Sequence, residues 1–96
     1  MDISKLLENK RNDILRIAKK YGATNIRIFG SVARGQNGPE SDLDVLVDFE
    51  KGRSLMDHAA LIIELQDFLG CKVDVATERG LKDRIREQVI KESVPL

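Results

Sequence analysis

Two short motifs supply groups that could handle phosphates and metal ions. Gly30-Ser31 joins a residue without a side chain to a hydroxyl, and Asp42 and Asp44 follow in the pattern Asp-x-Asp. A third acid, Asp74, stands between two valines in a later apolar run. Transfer of a nucleotide from a nucleoside triphosphate requires a backbone that phosphates can approach closely, a hydroxyl group and several carboxylates.

The first motif lies where a predicted strand, residues 24–29, turns into a short helix predicted around residues 32–34. Such a turn points backbone N–H groups at one place, and the start of a helix adds partial positive charge. Ser31 could donate its hydroxyl to a phosphate oxygen, and Arg34 could add a forked cationic contact. Taken singly, Gly30 is also an ordinary turn residue, Ser31 an ordinary N-cap and Arg34 an ordinary surface charge.

The second motif places two carboxylates on one face of a predicted strand. Residues 42–49 alternate in polarity, so Asp42 and Asp44, two residues apart, point the same way. At ~5 Å two such charges repel by about 3 kcal/mol at an effective dielectric constant of 20. With Asp74, they could hold two Mg²⁺ ions ~3.5 to 4 Å apart, one on each side of an in-line displacement. The plain alternative is a strand with acids on its wet face, where Asp48 would be solvated rim.

Better-known phosphate and metal motifs are excluded. Residues 30–35 have the glycine spacing of a Walker-A loop, but Gln36-Asn37 stands where Lys and Ser/Thr are required. The chain contains no Gly-x-Gly-x-x-Gly dinucleotide fingerprint. An EF-hand loop beginning at Asp42 would need an oxygen ligand and a glycine where Leu46-Val47 stands.

Hydrophobic periodicity predicts that four helices and three strands position these motifs, within one domain that spans residues 1–96. The predicted helices cover residues 3–20, 32–34, 55–69 and 79–92, and the predicted strands cover residues 24–29, 42–49 and 72–76. The third helix has a predicted capping box at Ser54–Asp57 and a predicted stop at Gly70. The predicted apolar stripes are Leu55, Ala59, Ile62, Leu65 and Leu69 in the third helix, and Leu81, Ile85 and Val89 in the last. His58, the only histidine, is predicted to be a surface residue.

Composition narrows the class of protein. Sixteen basic residues balance sixteen acidic ones, whereas dedicated nucleic-acid binders usually carry a basic excess. The single cysteine, Cys71, cannot form an internal disulfide. The first residues lack the apolar region of a secretory signal, and no run approaches the ~18 apolar residues of a membrane span. We therefore expect a cytoplasmic protein with no membrane partner and no dedicated nucleic-acid binding.

The combined spacing resembles a known family. Gly30-Ser31, a ten-residue gap and Asp42-x-Asp44 are similar to the signature of polymerase-beta-like nucleotidyltransferases. The fuller string, Gly30-Ser31-x-Ala33-Arg34-Gly35 with Ser41-Asp42-x-Asp44, resembles the minimal branch, the MNT antitoxins that pair with HEPN toxins. The resemblance implies an α+β fold in which helices flank a small mixed sheet. It implies that Asp42 and Asp44 ligate both Mg²⁺ ions, that Asp74 is the third acid beside the attacking hydroxyl, and that Gly30-Ser31 holds the triphosphate.

The resemblance also implies a reaction and a partner. The implied reaction transfers AMP from ATP to a tyrosine of a HEPN toxin and releases pyrophosphate. No residues remain for a domain that would hold the acceptor, so we expect the partner to share the acceptor site. The last helix and the surface that carries Leu55, Met56 and Ala60 are candidate contacts, while an ordinary core stripe is the favoured interpretation for most of these residues. Two alternatives stay open: a non-catalytic antitoxin that neutralises its partner by binding, and a nucleotidyltransferase for a small molecule or an RNA end.

Overall fold

The structure, a computed structural model, describes residues 3–35 and 42–96. Ser41, part of the fuller motif, lies outside the described residues. In chain order the elements are α1 (Ile3–Lys20), β1 (Ala23–Phe29), α2 (Gly30–Ala33), β2 (Leu43–Phe49), α3 (Leu55–Leu69), β3 (Val73–Ala76), α4 (Asp83–Glu92) and β4 (Val94–Pro95). The strand β4 was not predicted, because two residues after a helix carry no alternation to detect.

The four strands form one mixed sheet in the order β3-β2-β1-β4. β1 pairs antiparallel with β2 and with β4, while β2 pairs parallel with β3. Parallel neighbours need a crossover connection, and α3 provides it by running back between the end of β2 and the start of β3. The α+β fold with a small mixed sheet and flanking helices, which the resemblance implied, is confirmed.

One face of the sheet carries the main core. Leu43, Val45 and Val47 of β2 are at most 2% exposed, so the predicted apolar face of this strand is confirmed. They pack against helix side chains in a single cluster. The buried helix members of that cluster are Leu7, Ile14, Ile17, Ala18, Val32, Leu61, Leu65 and Leu69. Because burial of one large aliphatic side chain is worth about 1.5 to 3 kcal/mol, this layer fixes the helices on the sheet.

The opposite face of the sheet is more buried than the alternating polarity of β1 and β2 predicted. Arg27 and Leu46 are register partners across β1 and β2, and they are 8% and 0% exposed. Arg27 donates to Asp48 at 3.2 Å and to Glu78 at 2.8 Å. Asp48 is exposed, as predicted, and it is also one of two carboxylates that neutralise the buried guanidinium. α4 contacts β1, which helps to explain why this end of the face is covered.

The predicted apolar stripe of α3 is confirmed for Leu65 and Leu69, and Ile62 packs partly buried against the core, but the start of the stripe is wrong. Leu61, Leu65 and Leu69 are buried, whereas Leu55 is 81% exposed and Ala59 is also exposed. At ~100° per residue, Leu55 and Ala59 lie roughly a quarter to a third of a turn from the buried row. The predicted ends of the helix are confirmed: Ser54 and Asp57 form the capping box, and Gly70 closes the helix in a left-handed conformation.

The last helix begins at Asp83 rather than at the predicted residue 79. Arg86 explains the difference, because its guanidinium donates to the carbonyl oxygens of Glu78, Arg79 and Leu81 and holds that stretch as a turn. Val89 is buried as predicted, while Ile85 is 42% exposed. None of the helices in the described parts of the chain combines the length and the apolar character needed to cross a membrane.

His58 is not the surface residue that was predicted. It is half-buried, with one ring nitrogen 2.6 Å from the carbonyl oxygen of Val75. Its ring also packs on Phe49 with 5.3 Å between centroids. The histidine therefore ties α3 to β2 and β3, and no catalytic role is needed to explain its position.

Candidate active site

The parallel pairing of β2 and β3 sets two of the predicted acids side by side. Asp44 and Asp74 are register partners, so their side chains leave the sheet on the same face. Asp42 lies just before β2, and its charge acts on Asp44. The fold thus brings all three acids to one corner of the sheet, beside the edge strand β3.

Gly30 lies directly against this corner. Its neighbour Phe29 is the register partner of Asp44 across β1 and β2. A Cβ built on Gly30 would collide with Oδ2 of Asp44, and the backbone has φ +74°, which disfavours any residue with a side chain. The turn at residue 30 and the aspartate at residue 44 are therefore parts of one site.

The other two residues predicted to bind phosphate lie on the same short helix. Ser31 is half-buried in the first turn of α2, directly after Gly30. Arg34 is the C-cap of α2, and its charge acts on Asp44. The guanidinium of Arg34 donates to Glu92 at 3.1 Å. The Arg34 cation therefore lies close enough to the acids to act on Asp44, and it is paired with Glu92.

The surroundings of Asp44 hold the pKa of its carboxyl above the ordinary value. Burial is the largest cause, followed by the negative charges of Asp74 and Asp42. Arg34 and Lys72 act in the opposite direction but do not cancel the rise. Lys72 also pairs with Asp42 at 3.7 Å. The corner therefore carries more negative charge than its own cations offset, which is the condition that a bound cation relieves.

The chemistry of the donor set fits a hard divalent cation. The three acids supply only oxygen ligands, and Mg²⁺ commonly takes one or two carboxylates together with substrate phosphates. Within residues 3–35 and 42–96, no three or more His, Cys, Asp or Glu side chains are already arranged around a point that could hold an ion. Asp74 is exposed and Asp42 and Asp44 are half-buried, so their side chains have room to turn toward a cation.

Sequence reasoning missed Lys72 and, with a more specific contact, Glu92. Oε1 of Glu92 accepts hydrogen bonds from the backbone N–H of Gly30 at 3.3 Å and from Arg34 at 3.1 Å. Glu92 ends α4 and stands 62 residues from Gly30 in the chain. No local pattern marks it, because only the packing of α4 near α2 brings the two together.

A glycine turn over paired aspartates, on a small mixed sheet with helices, defines a class of enzyme, the nucleotidyltransferases. The family described as "Nucleotidyltransferase domain" matches residues 11–96. The chain therefore belongs to the nucleotidyltransferase domain family, and the resemblance read from the motifs is confirmed.

Two relatives that are similar in length to this chain are named as protein adenylyltransferases. The protein adenylyltransferase MntA of Thermococcus cleftensis is 37% identical over 78 residues, which are 81% of this chain and 79% of that protein. A protein of Methanocaldococcus jannaschii, to which the same activity is assigned provisionally, is 37% identical over 84 residues, 88% of this chain and 90% of its own length. The chain is thus an enzyme of the nucleotidyltransferase type.

Solved structures agree with the fold. A structure described as a minimal nucleotidyltransferase is 49% identical and has a TM-score of 0.87, with 100% of this chain and 97% of that chain covered. A chain from the complex of a tri-AMPylated Shewanella oneidensis HEPN toxin with an MNT antitoxin has a TM-score of 0.69 over 92% of this chain and 69% of that chain. At 19% identity, this second likeness shows the fold alone.

Proposed function

We propose that this chain is an antitoxin that transfers AMP from ATP to a tyrosine hydroxyl of a HEPN-type partner toxin, in a reaction that depends on Mg²⁺. The observation that carries the proposal is the placement of Gly30 against Asp44, with Asp74 beside it in register. A phosphate-binding turn and a set of acids then share one corner. Relatives named protein adenylyltransferases, and an AMPylated HEPN toxin complexed with an MNT protein of this fold, support a protein acceptor.

Each residue of the corner has a proposed part in binding the nucleotide. Gly30 leaves room for the triphosphate, Ser31 donates its hydroxyl to a phosphate oxygen, and Arg34 neutralises phosphate charge. Asp42, Asp44 and Asp74 would hold two Mg²⁺ ions. When bound, Mg²⁺ supplies neutralisation of the charge that builds up on the α-phosphate and on the leaving pyrophosphate.

Asp74 is the proposed link to the acceptor. It is exposed on the edge strand β3, so a side chain of a second protein can reach it. Its carboxylate accepts a hydrogen bond from the tyrosine hydroxyl and takes up the proton as the phenolic oxygen attacks the α-phosphorus. The new O–P bond forms while the bond to pyrophosphate breaks, so that positioning and charge neutralisation do most of the work.

The direct test is incubation of the chain with α-labelled ATP, Mg²⁺ and the product of the neighbouring gene, followed by mass spectrometry of that product. We expect one or more AMP groups on tyrosine. The double variant Asp42→Asn with Asp44→Asn should transfer nothing, while Asp67→Asn, an exposed acid on α3, should transfer normally. No labelling by the folded wild-type protein would refute the enzymatic proposal for this partner, and labelling of RNA ends or small molecules instead would identify another acceptor.

Neutralisation by contact alone is a second candidate. The apolar side chains of Leu55 and Met56 are 81% exposed, which is unusual for two neighbouring large residues and suits a binding surface. If the doubly substituted protein that transfers nothing still restores growth of cells that express the toxin, then binding is sufficient and catalysis is not the antitoxin activity. If growth is lost, the transfer reaction is the antitoxin activity.

A further inference from the structure

The carboxylate of Glu92 occupies two donors at the turn where the proposed function places the nucleotide. The same oxygen, Oε1, accepts from the Gly30 N–H and from the Arg34 guanidinium. An anionic oxygen held between a backbone N–H and a guanidinium is also the usual environment of a bound phosphate oxygen. The Glu92 side chain is 21% exposed, so water screens this contact only in part.

A triphosphate and Glu92 cannot use these donors together. The Gly30 backbone offers a single N–H, and a second anionic oxygen at that place would meet the carboxylate at a distance where like charges repel. The backbone of Glu92 is held in place, because Val89 is buried and its carbonyl oxygen accepts from Ser93 N–H at 3.0 Å. The glutamate side chain, with three rotatable bonds, is therefore the part that can move.

We propose that Glu92 is a built-in competitor for the phosphates of the nucleotide. In the free protein its carboxylate closes the contact between Gly30 and Arg34, and it turns away when a triphosphate binds. The inference rests on the proposed function, since it takes the turn at Gly30 as the nucleotide site. Its consequence is that the free protein holds ATP less tightly than its donors alone would allow.

The variant Glu92→Gln tests this by removing the charge while keeping the shape. Isothermal titration in Mg²⁺ buffer, without the partner protein, compares ATP with inorganic tripolyphosphate, which carries the phosphates alone. We expect the Kd of both ligands to fall about two- to fivefold, the size of effect typical of a partly exposed ion pair. Glu87→Gln, an exposed acid on the same helix, is the matched control and should leave both constants unchanged.

Glu92→Ala serves as a second variant, and thermal unfolding establishes that each variant is folded. Unchanged binding by the folded Glu92 variants would overturn the inference, because no competition would have been relieved. Weaker binding would overturn it as well, because it would mean that Glu92 positions Arg34 for the nucleotide. Tighter binding of ATP but not of tripolyphosphate would also overturn it. If the wild-type protein binds ATP and transfers AMP while the variants show no gain, the inference alone fails. If neither wild type nor Glu92→Gln binds ATP, the proposed function fails and the inference with it.

Discussion

At the scale of single residues, Gly30 is the point where the two halves of the site meet. Its φ of +74° and the carboxylate of Asp44 each exclude a side chain, for different reasons. The positive φ is a backbone conformation that other glycines of this chain share, whereas the close approach of Asp44 is specific to the site. The two can be separated by experiment because Gly52 has the same sign of φ, at +93°, with open space around its Cβ position.

We expect Gly30→Ala and Gly52→Ala each to destabilise the fold by about 1 to 3 kcal/mol, the usual cost of a non-glycine residue in this backbone region. Only Gly30→Ala should also lose ATP binding, because its methyl group displaces the Asp44 carboxylate. Thermal unfolding measures the first effect and calorimetric titration the second. ATP binding by Gly30→Ala as strong as by Gly52→Ala would show that residue 30 is only a turn.

Asp44→Asn should stabilise the free protein and abolish transfer of AMP. Burial and the charges of Asp74 and Asp42 raise the pKa of Asp44, so the ionised carboxylate lowers the stability of the folded state at neutral pH. Removing that charge should raise the free energy of unfolding, although by less than for a fully buried charge because solvent screens the half-buried carboxyl. Urea denaturation without Mg²⁺ measures this, and a less stable variant would contradict the electrostatic account.

The same comparison has a pH dependence of defined sign. A carboxyl with a raised folded-state pKa binds its proton more tightly in the folded state than in the unfolded state. The ionised carboxylate therefore destabilises the fold to its full extent at any pH well above that pKa. As the pH falls through the folded pKa toward the ordinary value of 3.8, this destabilisation disappears. The stability advantage of Asp44→Asn over wild type should therefore be largest at neutral pH and shrink on acidification. An advantage that grows on acidification would exclude Asp44 as the cause.

At the scale of elements, the buried Arg27 links β1 to β2 and to the turn before α4. Its side chain is 9% exposed, while the side chains of its partners Asp48 and Glu78 are about half exposed, at 51% and 44%. The partners can be rehydrated if the arginine is lost, but the arginine cannot be rehydrated if both partners are lost. The two sides of this interaction should therefore respond differently to substitution.

Replacement of both carboxylates, Asp48→Asn with Glu78→Gln, should cost about 3 to 5 kcal/mol because it leaves a buried charge without compensation. Arg27→Met, which removes the charge at similar volume, should cost clearly less. Guanidinium denaturation of the two variants measures the difference. If Arg27→Met were the more damaging change, the ion pairs themselves would be the main source of stability.

How far the sequence predicts this molecule depends on the range of the interaction. Alternation and helical spacing are local, and within residues 3–35 and 42–96 they locate each strand and helix except the two-residue β4. The proximity of Asp42 and Asp44 was predicted from their spacing, although β2 begins at Leu43 and not at the predicted residue 42. Their meeting with Asp74 needed the parallel register of β2 and β3, which no local pattern encodes.

Failures occurred where tertiary contacts override a local pattern. A charged residue at an alternating position is normally solvated, yet Arg27 is buried because carboxylates from two other segments reach it. Glu92 was missed because its contact with Gly30 joins residues far apart in the chain. Leu55 was assigned to the core on spacing alone, although the buried row of α3 runs along another side.

At the scale of the whole molecule, the acidic corner and the exposed apolar pair are separate. β2 starts near the acids and leads away from them, and α3 begins beyond its far end with Leu55 and Met56. The 15 residues of α3 then return about 22 Å, at 1.5 Å per residue, toward the start of β3. A partner that covers both places would span the length of this helix.

Leu55→Ser with Met56→Ser should therefore weaken binding of the partner about tenfold or more, as loss of apolar anchors does, and leave ATP binding unchanged. Because both side chains are 81% exposed, stability should change by no more than ~0.5 kcal/mol for each substitution. Surface plasmon resonance with the immobilised partner measures the affinity. Ile63→Ser, on a 58% exposed apolar residue of the same helix, shows whether the contact extends along α3. Unaltered affinity in the double variant would place the partner elsewhere.

The position of β2 has a consequence for how the enzyme loses activity. This strand has hydrogen-bonded neighbours on both sides, antiparallel on one and parallel on the other. A slip of one residue would turn Val45 outward and bury Asp44, so no partly shifted arrangement can preserve the chemistry. Amide protons of β2 should exchange only through complete opening of the chain. Thermal inactivation and global melting should then coincide, without an inactive yet folded species between them.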